Sequence, residues 1–313
     1  MYVKVLGAAA GGGFPQWNCS CNNCRRLRQG NFSGRARSQV QLAISADGER
    51  WFLLNCSPDL RYQIEAFPPL HPRPISIRQS PIQGVILTSA EADAALGLLL
   101  LRESQPFTIY ATEAVRRILT DGNNLFAMLR RRADQIQWRS MLLGEPFELE
   151  ALDGREGRVG RKIGIRCTAI STGGAFPAFV KADQAATFEM AEAVIGLFLE
   201  HDSRRIAFFP GAQRIAPEWL SQMAACDVIL FDGTFWSNDE LIRVTGAGKT
   251  AADMGHLPVG DAGGSLEQFS SLNGTRRVFI HINNTNPMLD EDSAEYARVR
   301  DLGWELAFDG MEL

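Results

Sequence analysis

The sequence lacks three features that would each define a class of protein: a long hydrophobic run, an excess of positive charge and enough cysteines for a disulfide scaffold. Its longest strongly apolar run, 94–101, lies between Asp93 and Arg102, whereas a membrane-spanning helix needs about 20 such residues. Lys and Arg number 32 against 36 Asp and Glu, a net charge of −4, which gives no basic footprint for nucleic acid. We therefore expect neither membrane insertion nor nucleic-acid binding.

The opening residues, MYVKVLG, alternate like a strand. They contain no apolar segment of about 7–15 residues of the kind that a signal peptide requires, so the expected location is the cytoplasm. Six cysteines in 313 residues are too few for a disulfide scaffold. In a reducing compartment, a local group of cysteines indicates a metal site instead.

Three of the cysteines lie within the short segment WNCSCNNC, as Cys19, Cys21 and Cys24. Thiolates are strong zinc ligands, and the small polar residues between them favour a turn that can wrap one ion. The pattern predicts a structural zinc site that fixes the long N-terminal loop. Zinc needs a fourth ligand, and the sequence leaves open His281, His256, Asn284, Cys56 or a backbone or water oxygen.

Hydrophobic periodicity predicts strands first and αβ units afterwards. Three strand candidates with an Asp47-Gly48 turn form a predicted meander at Tyr2–Leu6, Gln39–Ser45 and Trp51–Asn55. Strand-then-helix units follow, including a predicted helix over Ala92–Leu101. This order is typical of two packed sheets with helices outside, an α/β architecture.

Ionisable residues follow several of these buried strands, where α/β sheets collect ligands. Glu91 and Asp93 come after one strand, Asp232 and His281 each end another, and His256 lies in a connecting segment. If the strands share an edge, these carboxylates and imidazoles converge on a site suited to iron, manganese or zinc. Taken singly, each residue also has an ordinary explanation as a helix-capping acid, a turn residue or a hydrogen-bonded core histidine.

Six segments occur in the order seen in one family: KVLGAAAGGGFPQWNCSCNNC, LLNCSPDLRYQI, ILTSAEADAALGLLLLRES, ILFDGTFW, DMGHL and HINNTNP. Over essentially its whole length the chain resembles the pyrroloquinoline quinone (PQQ) biosynthesis protein B family. The resemblance implies a metallo-β-lactamase fold, a four-layer αββα sandwich. It also implies a single domain over residues 1–313 with a zinc-binding loop at about 11–37.

The resemblance further implies that Cys19, Cys21 and Cys24 bind a structural zinc. It places Glu91, Asp93, Asp232 and His281 at positions equivalent to metallo-β-lactamase ligands, with His256 close by. One departure concerns the superfamily motif H-x-H-x-D-H, which reads Ser89-Ala-Glu-Ala-Asp-Ala94 here. Because the final histidine is Ala94, the remaining set is rich in oxygen and favours iron(II) or manganese over a catalytic zinc.

In function, the resemblance implies an iron-dependent oxygenase that hydroxylates the tyrosine of a Glu-Tyr unit from a small precursor peptide. Asp93, Asp232 and His281 would hold Fe2+ or another divalent metal. His256 would act as acid, base or extra ligand, and Glu91 would support the site.

Two other functions stay open. The chain could be a noncatalytic carrier of PQQ or its precursor, with a role in export, which suits the alanine at position 94. A weaker alternative is a metal-dependent hydrolase, which needs a better zinc site than this sequence offers. The expected partners are the Glu-Tyr substrate or PQQ precursor, and a homodimer is left open.

Overall fold

The fold was analysed in a computed structural model that describes residues 1–74, 76–121, 123–130, 135–153, 158–246, 248–272 and 274–313. The first sheet has six strands in sequential order. They are β1 (Tyr2–Gly7), β2 (Gln41–Ser45), β3 (Trp51–Leu54), β4 (Ile82–Ile86), β5 (Phe107–Ala111) and β6 (Ile136–Ser140). The first three pair antiparallel and the rest are parallel, which confirms the predicted meander.

The second sheet has seven strands in the order β13-β12-β11-β10-β9-β8-β7. They are β7 (Pro146–Asp153), β8 (Arg158–Ser171), β9 (Ile195–His201), β10 (Arg204–Phe209), β11 (Val228–Asp232), β12 (Arg276–Ile280) and β13 (Trp304–Leu306). Strands β10 to β13 run parallel to one another. Their carboxyl ends therefore lie at one edge of the sheet, where the predicted site residues Asp232 and His281 stand.

Nine α-helices connect the strands in the described residues. They are α1 (Asn22–Arg28), α2 (Leu60–Glu65), α3 (Ala92–Ala95), α4 (Glu113–Thr120), α5 (Ala182–Ala185), α6 (Pro217–Met223), α7 (Glu240–Thr245), α8 (Ser265–Gln268) and α9 (Ala294–Asp301). None of them is long and apolar enough to cross a bilayer.

The helix predicted over Ala92–Leu101 is wrong in its second half. α3 ends at Ala95, and residues 96–101 form 3-10 turns. The carbonyl of Ala94 accepts a hydrogen bond from the Cys56 amide (2.6 Å), and the Gly97 amide donates to the Cys56 carbonyl (2.8 Å). A Cβ at Gly97 would lie 2.1 Å from the Ser57 carbonyl oxygen. The chain leaves α-helical geometry because its backbone docks here on the segment after β3.

Three hydrophobic cores define four layers. The first lies between the sheets and joins residues such as Phe52 of the first sheet to Phe208 of the second. The second packs α6, α8 and α9 on the outer face of the second sheet, and the third packs α2 and α4 on the outer face of the first. The structure is the αββα sandwich that the sequence predicts.

Candidate metal centres

The first candidate centre begins at two adjacent strand ends. β11 and β12 pair in parallel with Asp232 opposite Ile280. Asp232 is the last residue of β11, and His281 directly follows β12. The register of the two strands therefore brings a buried carboxylate and an imidazole to the same edge.

The backbone at His281 has a left-handed conformation, with φ of 58°. The backbone hydrogen bonds between the ends of the two strands skip His281. The Gly233 amide donates to the Ile280 carbonyl (2.8 Å), and the Asn283 amide donates to the Thr234 carbonyl (3.1 Å). A left-handed backbone at a residue other than glycine costs roughly 1–3 kcal/mol and is concentrated at functional sites. The chain therefore leaves regular strand geometry at His281.

Asp93 and His281 form a close pair across the two sheets, 188 residues apart in sequence. The His281 Nε2 lies 3.0 Å from the Asp93 Oδ2, and each side chain is 14% exposed. Burial alone would lower the pKa of His281, but the hydrogen bond and charge of Asp93 outweigh it and raise that pKa. Burial would likewise raise the pKa of Asp93, and His281 reverses it to lower the value. Each side chain therefore stabilises the charged form of the other, and the two donor atoms face each other closely enough to share a cation.

Asp232 is fully buried, and both of its oxygens are saturated. Oδ1 accepts from the amide (3.0 Å) and hydroxyl (2.5 Å) of Thr234, and Oδ2 accepts from the Ala212 amide (2.9 Å) and lies 2.6 Å from His256 Nδ1. Burial favours a raised pKa, but the charge and hydrogen bond of His256 outweigh it, so the pKa of Asp232 is lowered. An ionised carboxylate offers about four acceptor positions. A metal bound by Asp232 would therefore have to displace one of these donors.

His256 completes the cluster. Its ring stacks on that of His281, with centroids 5.3 Å apart and planes 24° from parallel. One ligand atom from each of Asp232, His256 and His281 lies within 4.8 Å of the others. The structure therefore brings Asp93, Asp232, His256 and His281 together, and their oxygen and nitrogen donors fit a divalent metal ion.

Glu91 and Ala94 stand on the first-sheet side of this cluster. Glu91 precedes α3 as its N-cap, and desolvation together with the charge of Asp93 raises its pKa. Ala94 is 3% exposed and provides only a methyl group at the motif position where the superfamily has histidine. The chain has four histidines, and His71 and His201 bond elsewhere, to the carbonyls of Ile64 and Gly164. Two imidazoles are all that this centre has.

The sequence did not single out Thr234, which lies at the middle of the cluster. Its Oγ1 is within 3.1 Å of Asp232 Oδ1, His256 Nδ1, His281 Nδ1 and the His281 carbonyl. The only sequence signal for Thr234 is its position, two residues after Asp232 at the end of β11.

The second candidate centre is the cysteine cluster, where one ligand atom from each of Cys19, Cys21 and Cys24 lies within 4.8 Å of the others. The pKa of Cys19 is lowered despite its burial, by hydrogen bonds from Cys21 and neighbouring groups. Burial raises the pKa of Cys21 to about 12. Three thiolates this close would repel one another, and a bound cation would remove that repulsion.

Asn284 occupies the fourth side of the cysteine cluster. Its side-chain Nδ2 is 3.1 Å from the sulfur of Cys19, 3.6 Å from Cys21 and 3.3 Å from Cys24. In a tetrahedral zinc site, a thiolate sulfur and an oxygen ligand are about 3.6 Å apart. Turning the amide by 180° exchanges its nitrogen and oxygen, which would direct Oδ1 to the zinc. The residues present fit zinc with three sulfurs and one amide oxygen.

The other side-chain candidates for the fourth ligand lie elsewhere, whereas the backbone carbonyl of Asn284 lies 3.8 Å from the Cys21 sulfur. Cys56 is fully buried in the outer core of the first sheet, and His256 and His281 belong to the first centre. The cysteine loop is closed by paired backbone hydrogen bonds of 2.8 Å between Phe14 and Arg37. Arg28 also donates to the carbonyls of Cys19 and Gln16, which fixes the loop around its thiols.

One segment, 281–286, connects the two centres. Asn286 donates to the Gly233 carbonyl at 3.0 Å. Asn23, in α1, donates to the backbone carbonyls of Asn284 (3.1 Å) and Asn286 (3.0 Å). The cysteine loop is therefore tied to the same backbone that carries His281.

The buried Glu240 carboxyl contacts segment 281–286 through Thr285. It is 1% exposed, accepts from the Trp236 amide (2.6 Å) and lies 2.5 Å from the Thr285 hydroxyl. Burial raises its pKa from 4.5 to about 7. The carboxyl therefore keeps its proton in the folded protein over a pH range in which the unfolded chain has lost it.

This pKa makes stability depend on pH with a definite sign. Below about pH 4.5 Glu240 is protonated in both states; from there to about pH 7 only the unfolded state is ionised, so the free energy of unfolding falls as pH rises. The total loss is on the order of 3 kcal/mol. Urea titrations at several pH values should show the decline in the wild-type protein relative to Glu240→Gln. Exposed Glu218→Gln is the control and should follow the wild type.

The fold and these centres define the class of protein. The family described as "Beta-lactamase superfamily domain" matches residues 50–282, which makes the chain a metallo-β-lactamase-fold protein. Coenzyme PQQ synthesis protein B of Methylorubrum extorquens is 40% identical over 313 residues, covering 100% of this chain and 99% of that protein. The same protein of Gluconacetobacter diazotrophicus is 42% identical over 311 residues, covering 99% and 98%.

A solved structure agrees. The crystal structure of Zn2+-bound PqqB from Methylobacterium extorquens is 40% identical, covers 100% of this chain and 99% of that one, and superposes with a TM-score of 0.88. The chain belongs to the coenzyme PQQ synthesis protein B family, as the sequence motifs predict.

Proposed function

We propose that this protein is an iron(II)-dependent oxygenase of coenzyme PQQ synthesis that hydroxylates the tyrosine ring of a Glu-Tyr unit. The observation that carries the proposal is the pairing of Asp93 with His281 at 3.0 Å, beside the His256 imidazole and without a thiol ligand. Such a small set of oxygen and nitrogen donors suits iron(II) and leaves positions open.

Hydroxylation of the tyrosine ring by dioxygen needs an external reductant. One oxygen atom of dioxygen enters the ring and replaces a hydrogen; the other leaves as water, with two electrons and two protons from a reductant of the ascorbate class. Bound iron supplies the activation of dioxygen. Asp93 and His281 are the proposed ligands. Asp232 remains a candidate ligand that must first release a hydrogen-bond donor.

His256 is the proposed acid–base group. Its Nδ1 lies 2.6 Å from the Asp232 carboxylate, which orients the ring, as carboxylates do for catalytic histidines. The opposite nitrogen is then free to exchange a proton with the substrate phenol. Glu91, desolvated near Asp93, is the proposed supporting residue on the first-sheet side of the site.

The alanine at position 94 favours a second candidate, a noncatalytic carrier of PQQ or its precursor. The superfamily motif has an imidazole there, and the buried methyl of Ala94 offers no donor to a metal. A carrier would use the same edge of the second sheet for recognition without a second metal.

One experiment separates these functions. Protein purified without oxygen and loaded with Fe2+ is given a synthetic Glu-Tyr peptide, ascorbate and 18O-labelled dioxygen, and the products are analysed by mass spectrometry. We expect iron in addition to the cysteine-bound zinc, and one 18O atom in the tyrosine ring. Zinc alone, with tight PQQ binding and no product, would favour the carrier; a cleaved peptide without 18O would indicate a hydrolase. Either result excludes the oxygenase.

A further inference from the structure

Thr234 has more polar neighbours than one hydroxyl can serve as a donor. The distances from Oγ1 are 2.5 Å to Asp232 Oδ1, 2.7 Å to His281 Nδ1, 2.9 Å to the His281 carbonyl and 3.1 Å to His256 Nδ1. A hydroxyl has one proton to donate and two lone pairs to accept with. The positions of the protons in the cluster follow from which neighbour receives that proton.

The buried Asp232 carboxylate is the strongest acceptor of the four. It is ionised and lies closest, and hydrogen bonds to charged acceptors are about twice as strong as those between neutral groups. When the Thr234 hydroxyl donates its hydrogen bond to Asp232, it has no second proton to donate. It can then only accept a hydrogen bond from His281. The His281 Nδ1 must then carry a proton, and its Nε2 is the nitrogen that faces Asp93 at 3.0 Å.

We propose that Thr234 is a positioning residue that holds His281 in the Nδ1-protonated form and thereby presents Nε2, together with Asp93, to a divalent cation. This inference rests on the proposed metal site. Hydrogen-bond partners of a ligating imidazole fix its tautomer and ring orientation, and their loss typically weakens metal binding 10- to 100-fold.

The test combines two variants with two measurements. Thr234→Val keeps the shape of the side chain and removes the hydroxyl, whereas Thr234→Ser keeps the hydroxyl. Titration with Co2+, followed by its visible absorption, should show about 10- to 100-fold weaker binding at the Asp93–His281 site in Thr234→Val. Thr234→Ser should stay within about threefold of the wild type. Zinc content of the cysteine cluster and the melting temperature report whether each variant is folded.

The second measurement needs only the wild-type protein. In Zn2+-loaded protein labelled with 15N in its four histidines, two-dimensional NMR should show a proton on His281 Nδ1 and the metal on Nε2. A metal on Nδ1 would overturn the proposal even if Thr234→Val did not fold. So would folded Thr234→Val with unchanged Co2+ affinity. If the wild type binds no cation at Asp93 and His281, the proposed function itself is wrong and the inference is overturned with it.

Discussion

Replacing Asp93 by alanine should remove the second metal and abolish hydroxylation. The Asp93 carboxylate lies 3.0 Å from the His281 imidazole, and these two groups are the proposed ligands. The next residue, Ala94, offers no substitute donor. Loss of hydrogen-bond partners alone costs up to about 100-fold in metal affinity, so loss of a ligand should cost at least about 100-fold. His281→Ala should have the same effect, because it removes the other half of the pair.

Iron content after anaerobic loading and the rate of 18O incorporation measure this effect. Asp121→Ala, at the exposed end of α4, and His71→Ala, which lies on another part of the surface, are the matched controls and should keep both. Both site variants should retain zinc at the cysteine cluster. Full iron binding in Asp93→Ala would show that Asp93 and His281 do not form the metal site.

Replacing Cys21 by serine should release the structural zinc and destabilise the protein. Structural zinc contributes on the order of 10 kcal/mol in small zinc domains. Here the ion would hold one loop of a large sandwich, so a smaller loss of roughly 3 kcal/mol is expected, which lowers the melting temperature by about 5–10 °C. Zinc analysis and calorimetry measure the two effects.

Cys226→Ser is the matched control for the cysteine variant. Cys226 is buried in the outer core beside the second sheet, outside the zinc cluster, and its substitution should leave the zinc content unchanged. Asn284→Ala should weaken zinc binding less than Cys21→Ser, because water can replace a neutral amide ligand more easily than a thiolate. If Cys21→Ser kept both zinc and melting temperature, the cysteine loop would not be a zinc site.

The sequence predicted strands well where they carry a strong local signal, as the apolar run at Trp51–Asn55 does. It predicted the helix after β4 less well. The apolar run 94–101 looks helical on its own, but the contacts of Ala94 and Gly97 with the Cys56 backbone decide its geometry, and these contacts are invisible in local periodicity.

The candidate residues of the site could be named from the sequence, but the hydrogen bonds that connect them could not. Strand ends identified Asp232 and His281 as neighbours, because parallel strands end at a common edge. The saturation of Asp232 and the central position of Thr234 depend on distances within the folded cluster, which no spacing in the sequence reveals. Asn284 was one of several candidates for the fourth zinc ligand until the fold brought its amide to three sulfurs.

The continuous segment 281–286 has a practical consequence for anyone who reconstitutes this protein. A strong chelator used to clear adventitious ions from the Asp93–His281 site would also extract a zinc ion bound at the three cysteines, and Asn284, the candidate fourth ligand, lies only three positions from His281. Activity lost after such stripping would then report a shifted backbone as much as a missing iron. Protein from cells grown in zinc-supplied, iron-poor medium would need no chelator. The cysteine loop would then keep its zinc, and any activity gained on adding iron would report the iron site alone.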